Sequence, residues 1–264
     1  MMAYFNVIIP TYNAEKTIVR ALESIARQTF TGYTAIMVDD RSTDETVAVA
    51  GKMVMPVDSS WVLHQLPEKR WNGGARNAAM ELARKNKADS FYTLFLDADD
   101  DFVDTNIFQE LHDFIEAHGQ PDMVRLPYIR HNTDGTTVDQ TPRLLAEQSL
   151  RDVAHNCRVA AWTKAVKTSL LVPFPENTLM EDVCQHLKQV DAVSTFATFP
   201  RAAINWRIHD DSTSHDYSPK WKSSAYRFVA DLMDLDLEHD YCRERRDVKI
   251  AEAIQNLREG RYEQ

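Results

Sequence analysis

The sequence predicts an α/β fold: a mostly parallel sheet flanked by helices over the first hundred residues, then a mixed half, then a helical tail. Three observations predict it. Short apolar runs alternate with amphipathic stretches, which is the pattern of strand-helix-strand units. Two of those runs, Tyr33 to Val38 and Tyr92 to Leu96, end abruptly in acids, at the position where open α/β sheets bind ligands. The chain has 264 residues and 44% hydrophobic content, enough for one large domain or two small, closely packed ones.

Taken in order, Tyr4 to Ile9 reads as a strand stopped by Pro10, and Thr11-Tyr12-Asn13 as a turn with Asn13 as N-cap. A helix follows from Ala14 to Gln28, with Ile18, Leu22, Ile25 and Ala26 on one face. Strand two ends in Asp39-Asp40-Arg41-Ser42, and Ser42-Thr43-Asp44-Glu45 has the form of a capping box. That gives Ser42 and Glu45 a structural role and leaves Asp39 and Asp40 without one. Trp61 to Leu66 is strand three. Helix three begins after Asn72-Gly73-Gly74, with Arg76 and Asn77 in its first turn. A cation at a helix N-terminus is disfavoured unless an anion lies beside it, although an exposed, tolerated Arg fits equally well.

The second half mixes elements. Thr105 to His118 is a helix, Met123 to Tyr128 a strand, and Asn132 to Thr141 a polar hairpin or loop around Asp134-Gly135. Leu145 to Cys157 reads as helix and Ala160 to Lys167 as strand. Val172-Pro-Phe-Pro175 then breaks the pattern, and Met180-Glu181-Asp182-Val183 opens another helix. Acids in a first turn are stabilised by the helix dipole, so capping alone accounts for one of these two. Arg201 to Ile208 is a strand, His209 to Ser214 a polar loop, and the chain from Pro219 onward is helical.

No apolar run approaches the roughly 20 residues that span a bilayer, and Met1 to Pro10 lacks the basic start and cleavage site of a signal peptide. Cys157, Cys184 and Cys242 have no paired spacing, so the expectation is a cytoplasmic protein with reduced thiols and no structural zinc. A net charge of −10 gives no general attraction to nucleic acid or anionic membranes. Lys164, Lys167, Arg201, Lys220, Lys222 and Arg227 remain as a candidate local basic patch, with an ordinary solvated surface as the alternative.

The most informative stretch is Tyr92-Thr-Leu-Phe-Leu-Asp97-Ala-Asp99-Asp100-Asp101. Carboxylates this close repel, so some must protonate or share a cation. An oxygen-only cluster at a strand end suits Mg²⁺ or Mn²⁺ shared with phosphates. An acidic loop capping the next helix is the competing reading. Several other classes are disfavoured by missing motifs. There is no Gly-x-x-x-x-Gly-Lys-Ser/Thr loop, no Gly-x-Gly-x-x-Gly after the first strand and no Gly-x-Ser-x-Gly elbow. The first loop, Pro-Thr-Tyr-Asn, offers an aromatic ring and polar groups, which suits a nucleobase better than a triphosphate.

Taken together, Val7-Ile8-Ile9-Pro10-Thr11-Tyr12-Asn13, Val38-Asp39-Asp40-Arg41-Ser42-Thr43-Asp44, Ala75-Arg76-Asn77, Leu96-Asp97-Ala98-Asp99-Asp100 and Glu181-Asp182 occur in the order seen in family-two glycosyltransferases. Ala161-Trp162-Thr-Lys164 through Leu170-Leu171, with Phe174-Pro175-Glu176, resembles that family's acceptor half. Trp206-Arg207-Ile208-His209 through Ser212 resembles its closing motif. The resemblance covers about residues 4 to 214, and the joint order of the motifs is what makes it specific.

The resemblance implies a GT-A, Rossmann-like fold, a nucleoside-diphosphate sugar donor (UDP most often), a divalent metal (Mn²⁺ or Mg²⁺) and inversion at the anomeric carbon. By the same resemblance, Pro10, Thr11, Tyr12, Asn13, Asp40 and Arg76 frame the nucleotide, and Asp97 with Ala98 lies near the ribose or metal. Asp99 binds the metal, His209 completes its shell or meets the diphosphate, and Asp182 is the base. Residues 1–103 would bind the donor and 104–214 the acceptor, with 215–264 a helical extension that packs or forms a homo-oligomer. The acceptor is a hydroxyl of a glycan, a lipid-linked sugar or a modified nucleic-acid base. A non-catalytic nucleotide-sugar binding module is the alternative from another class, and loss of Asp99 or Asp182 would mark it. Both are present. Two departures stand out. Arg41 replaces the family's usual glycine, which implies another backbone shape or a reach toward the diphosphate, and the approach to Arg76 through Trp71-Asn72-Gly73-Gly74 looks shorter than usual.

Overall fold

A computed structural model describes residues 4–53, 60–85, 92–146, 149–156, 158–176, 178, 180–209 and 220–259. The large sheet begins with β1 (Phe5–Thr11), β2 (Tyr33–Asp39), β3 (Ser60–Gln65) and β4 (Tyr92–Phe95), all mutually parallel where they pair. It is completed by β6 (Met123–Arg125), β9 (Lys164–Lys167) and β10 (Phe196–Thr198), in the spatial order β10-β6-β9-β4-β1-β2-β3. Only β9 runs antiparallel to its neighbours. A smaller sheet, in the order β5-β11-β7-β8, is made of β5 (Asp101–Phe102), β7 (Tyr128–His131), β8 (Thr137–Asp139) and β11 (Ile204–Arg207).

Both β1 and β2 are buried along their whole length, as expected for central parallel strands covered on two faces. Helix α1 (Ile18–Ala26) buries Ile18, Ala21, Leu22 and Ile25, the 3.6-residue stripe read in the sequence. Helix α3 (Trp71–Lys85) lies against β1 and β2 through Ala75, Ala79, Met80 and Ala83. The remaining helices are α2 (Thr46–Ala50), α4 (Ile107–Ala117), α5 (Thr141–Leu145), α6 (Leu150–Asn156), α7 (Glu181–Asp191), α8 (Lys220–Met233) and α9 (Asp240–Arg258). The tail is not a free extension, because α9 packs on α6, α7 and α8, burying Cys242 and Ala253. Among the described residues no helix is long and apolar enough to cross a membrane. Cys184 and Cys242 are free and buried, and Cys157 lies outside the described residues.

Several local expectations are corrected, each for a physical reason. Pro10 does not stop the first strand but sits inside it opposite Val38. Pairing with β4 runs only to Ile8, whose carbonyl takes the Leu96 N–H. Pro10, two residues on, faces the same side beyond the end of β4, so its missing N–H breaks no ladder there. Asn13 caps nothing, and its side chain instead accepts the Thr43 N–H across the loop at 2.8 Å. The capping box does not form, because the Ser42 hydroxyl donates to Asp39 and no side chain caps α2. Helix three starts at Trp71, which places Gly73 and Gly74 inside it.

The strand read from Met123 to Tyr128 is split at Leu126-Pro127 between the two sheets. Likewise the helix read from Leu145 to Cys157 is two pieces, and Trp162 sits in a 3-10 turn (Ala161–Thr163) that leads into β9. The hairpin around Asp134-Gly135 forms as β7 and β8, Gly135 taking a φ of +82° that favours glycine. The loop read from His209 to Ser214 lies beyond the described residues after His209.

Gly73 has a packing reason. A Cβ there would stand 2.1 Å from the Pro175 carbonyl oxygen, so α3 and the 174–176 segment meet backbone to backbone. Asn77, one turn on, clamps the same segment, donating to the Phe174 carbonyl at 2.9 Å and accepting its N–H at 2.8 Å. Gly73→Ala should therefore destabilise the protein by about 1–3 kcal/mol, the usual cost of overpacking, despite alanine's better helix propensity. A thermal melt checks this: a lowered midpoint is expected, and an unchanged or raised one contradicts the close approach.

Candidate active site

The site forms where β4 ends, because the buried apolar strand must hand over to a loop that carries four acids in five positions. Two arginines fix that loop. Arg20 donates to the Asp99 carbonyl at 2.6 Å and pairs with Asp101 at 3.2 Å, while Arg207 also pairs with Asp101. Asp101 is thereby committed to structure. One oxygen each from Asp97, Asp99 and Asp100 lies within 4.8 Å of the others. Burial raises the pKa of Asp99 above the ordinary carboxylate value, reinforced by Asp97. Burial raises that of Asp100 well above it, reinforced by Asp99 and Asp97. His209, at the end of β11, brings Nε2 to 2.7 Å from Asp99 Oδ2.

This donor set fits a hard divalent cation: three converging carboxylates whose charges burden one another, and an imidazole at the rim. Asp97 and Asp99 keep 31% and 34% of their side-chain surface, so a ligand can reach them, whereas Asp100 is buried with its carboxylate accepting the Arg207 N–H at 2.8 Å. Asp100 is the member that motif reading left out, although it stands in the same acidic run.

The second half of the site is delivered by α7. Arg76, 2% exposed, pairs through Nη2 with Asp97 at 2.9 Å and through Nη1 with Glu181 at 2.6 Å and Asp182 at 3.1 Å. One guanidinium thus joins the end of β4 to the start of α7. The sequence expectation puts Arg76 on the nucleotide; the structure shows it buried and paired with these carboxylates, in the second turn of α3. The anions that explain a cation near this helix start come from the protein itself. Glu181 is buried and its pKa is pushed up to about 7, chiefly by burial and by the adjacent Asp182 charge. Asp182 keeps 27% of its side-chain surface, and its pKa too is raised by burial, with Arg76 opposing. Of the two acids that open α7, Glu181 is the buried one and Asp182 the partly exposed one.

The first loop divides. Pro10 and Thr11 are buried in β1, and the Thr11 carbonyl takes the Asp40 N–H at 2.8 Å. Only Tyr12 and Asn13 are open to solvent, and the Lys69 ammonium lies 2.9 Å from the Tyr12 ring centroid. Asp40 is 2% exposed and accepts the Arg70 N–H at 2.6 Å; burial raises its pKa. Asp39, read as lacking a structural role, accepts from Ser42 and from Gln65 at 2.9 Å. Ala98 is buried in the turn between Asp97 and Asp99.

Arg41 takes a left-handed backbone, φ +67°, of the kind glycine favours. Asn13 and Trp71 are also left-handed, at +48° and +60°. Such conformations cost roughly 1–2 kcal/mol each in a non-glycine residue and gather at functional sites.

The family model described as Glycosyl transferase family 2 matches residues 6–166. Among curated relatives, poly(ribitol-phosphate) beta-N-acetylglucosaminyltransferase TarS of Staphylococcus aureus (strain Mu50 / ATCC 700699) is 32% identical over 119 residues, 44% of this chain and 20% of that protein. Amylovoran biosynthesis glycosyltransferase AmsB of Erwinia amylovora is 32% identical over 146 residues, 52% of this chain and 45% of that one. The chain spans less than half the length of these relatives. Among solved structures, S. aureus TarS 1-349 in complex with UDP-GlcNAc superposes with a TM-score of 0.72 at 24% identity, covering 96% of this chain and 72% of that one. Mannosyltransferase PcManGT from Pyrobaculum calidifontis, in complex with GDP-Man and Mn²⁺, gives 0.62 at 18% identity, covering 97% and 70%. The fold is the GT-A arrangement expected from the motifs.

Replacing Arg76 by Met should cost about 3–5 kcal/mol, the penalty for leaving buried carboxylates without their partner. Chemical denaturation checks this. A loss below about 1 kcal/mol, the range of an exposed pair, contradicts the buried hub.

Proposed function

The chain belongs to glycosyl transferase family 2, and from that premise we propose that it moves a sugar from a nucleoside-diphosphate sugar to an acceptor hydroxyl with inversion. The observation that carries this reading is the shared guanidinium. Arg76 holds Asp97 of the β4 cluster and Asp182 of α7 within hydrogen-bond distance of its two terminal nitrogens. A donor site and a base are thereby kept together, as one displacement requires.

Asp97, Asp99 and Asp100, with His209 beside Asp99, would hold Mn²⁺ or Mg²⁺. Bound there, the cation would offset the charge that builds on the departing diphosphate. Tyr12 and Asn13 would meet the nucleobase from the exposed part of the first loop, and Asp40 and the buried Pro10 and Thr11 would shape the wall behind it. The TarS structure in complex with UDP-GlcNAc supports a UDP-linked donor.

Asp182 would take the proton of the attacking hydroxyl. Its partial exposure lets an acceptor reach it, and Arg76 fixes its orientation. One base and direct displacement invert the anomeric carbon with no enzyme nucleophile. Glu181, inward and salt-bridged, would act on Arg76 rather than on substrate.

Asp182→Asn should therefore lower transfer by about 10² to 10⁴ while leaving donor affinity near wild type, and Glu181→Gln should lower it less. Turnover of both variants, beside calorimetric donor affinity, decides. Full activity in Asp182→Asn excludes it as the base.

A further inference from the structure

The lysine and arginine patch singled out in the sequence does not form among the described residues. Lys164 is buried, its ammonium on the Val159 and Ala160 carbonyls. Lys167 pairs with Asp122, and Arg201 pairs with Asp104 and Glu110. Positive charge gathers elsewhere. A cavity of about 420 Å³ is lined by Arg130 of β7, Arg143 of α5, Arg158 and Arg245 of α9, with Tyr128 and Trp206 among the other walls. No carboxylate is among the described residues that line it, in a chain with 40 acids against 30 bases.

We propose that this cavity binds a phosphate group carried by the acceptor. Four guanidinium groups from four separate parts of the chain repel one another unless an anion sits between them. Their planar forks match phosphate oxygens in pairs. The volume falls within the range of small-molecule sites. Internal pairing is weak at two of the four: Arg245 stands 3.9 Å from Glu252, at the limit of an ion pair, and the buried Nε of Arg130 has no hydrogen-bond partner. The Arg158 guanidinium carbon lies 3.6 Å from the Trp206 ring centroid and 5.8 Å from that of Trp162, cation–π contacts that hold its charge at this wall.

The cavity adjoins the reaction centre. Trp206 lines it, and the next residue, Arg207, gives its N–H to Asp100 at 2.8 Å. Trp206 stands three residues before His209 on the same stretch of chain. A phosphate anchored here would leave a neighbouring hydroxyl of the same acceptor on the Asp182 side. Calling the ligand an acceptor rests on the transferase reading above. The presence of an arginine-lined phosphate site does not.

The test uses the full chain in EDTA, so that any metal-dependent diphosphate site is silent. Glycerol 3-phosphate, inorganic phosphate and neutral glycerol are titrated calorimetrically against wild type, Arg158→Ala and Arg143→Ala. A parallel arm uses phosphatidylglycerol vesicles. The expected result is that both phosphates bind and glycerol does not. Affinity should fall with added salt and drop tenfold or more in each variant. Mn²⁺-dependent UDP affinity should stay unchanged in Arg143→Ala. Arg143 is exposed at the rim, so its variant keeps the test open should Arg158→Ala misfold. No phosphate binding, equal binding in the variants, or binding to vesicles alone overturns the proposal. Failure of UDP to bind wild type in Mn²⁺ would overturn the donor reading, and is measured separately from the EDTA titrations.

Discussion

One buried guanidinium holds the site together. Arg76 is almost fully enclosed and shared among three carboxylates that come from the end of β4 and the first turn of α7. Removing a charge from water is costly, and the cost is offset only when geometry and partners are good. That requirement constrains the surrounding chain. Helix α3 must approach the 174–176 segment closely, which Gly73 permits and Asn77 secures. Arg70 adds a pair to Glu176 on the same segment. Glu181 and Asp182, in the first turn of α7, then meet Arg76.

The hub also sets the electrostatics. One positive charge faces Asp97, Glu181 and Asp182, and Asp99 and Asp100 lie just beyond. Burial is the first reason that Glu181 is pushed up to about 7 and that Asp99, Asp100 and Asp182 are raised, and the excess of carboxylates over this one guanidinium adds to it. A folded chain keeps such an excess when something else neutralises it in use. A divalent cation at the β4 end and a proton arriving at Asp182 are the two natural candidates.

What the sequence made legible follows from how far each signal reaches. Central strands were readable because burial on both faces writes a continuous apolar run, as in Val7-Ile8-Ile9, and the carboxylate cluster was readable because Asp97, Asp99 and Asp100 stand in one acidic run after β4. Local rules failed where tertiary contacts outbid them. Ser42 bonds Asp39 in place of capping a helix, and Leu126-Pro127 carries one apolar run into two sheets. The partners of Arg76 were hidden because Glu181 and Asp182 lie more than a hundred residues away. The arginine cavity was hidden more thoroughly, since its charges come from β7, α5, the 158 loop and α9, and the nearest two of its arginines stand 13 residues apart (143 − 130). The cavity also gives the tail a reason to fold back, because α9 packs on α6 and α7 and so brings Arg245 to its wall.

The central claim is that the carboxylates at the end of β4 hold a cation for the donor's diphosphate. Calorimetric titration of UDP into wild type and Asp99→Ala, each with Mn²⁺ and with a chelator, tests it most directly. Affinity should fall at least tenfold on chelation and by a similar factor in Asp99→Ala, a change of about 1.4 kcal/mol or more. Chelation should add nothing further in the variant. UDP affinity unchanged by either treatment contradicts a cation at Asp99.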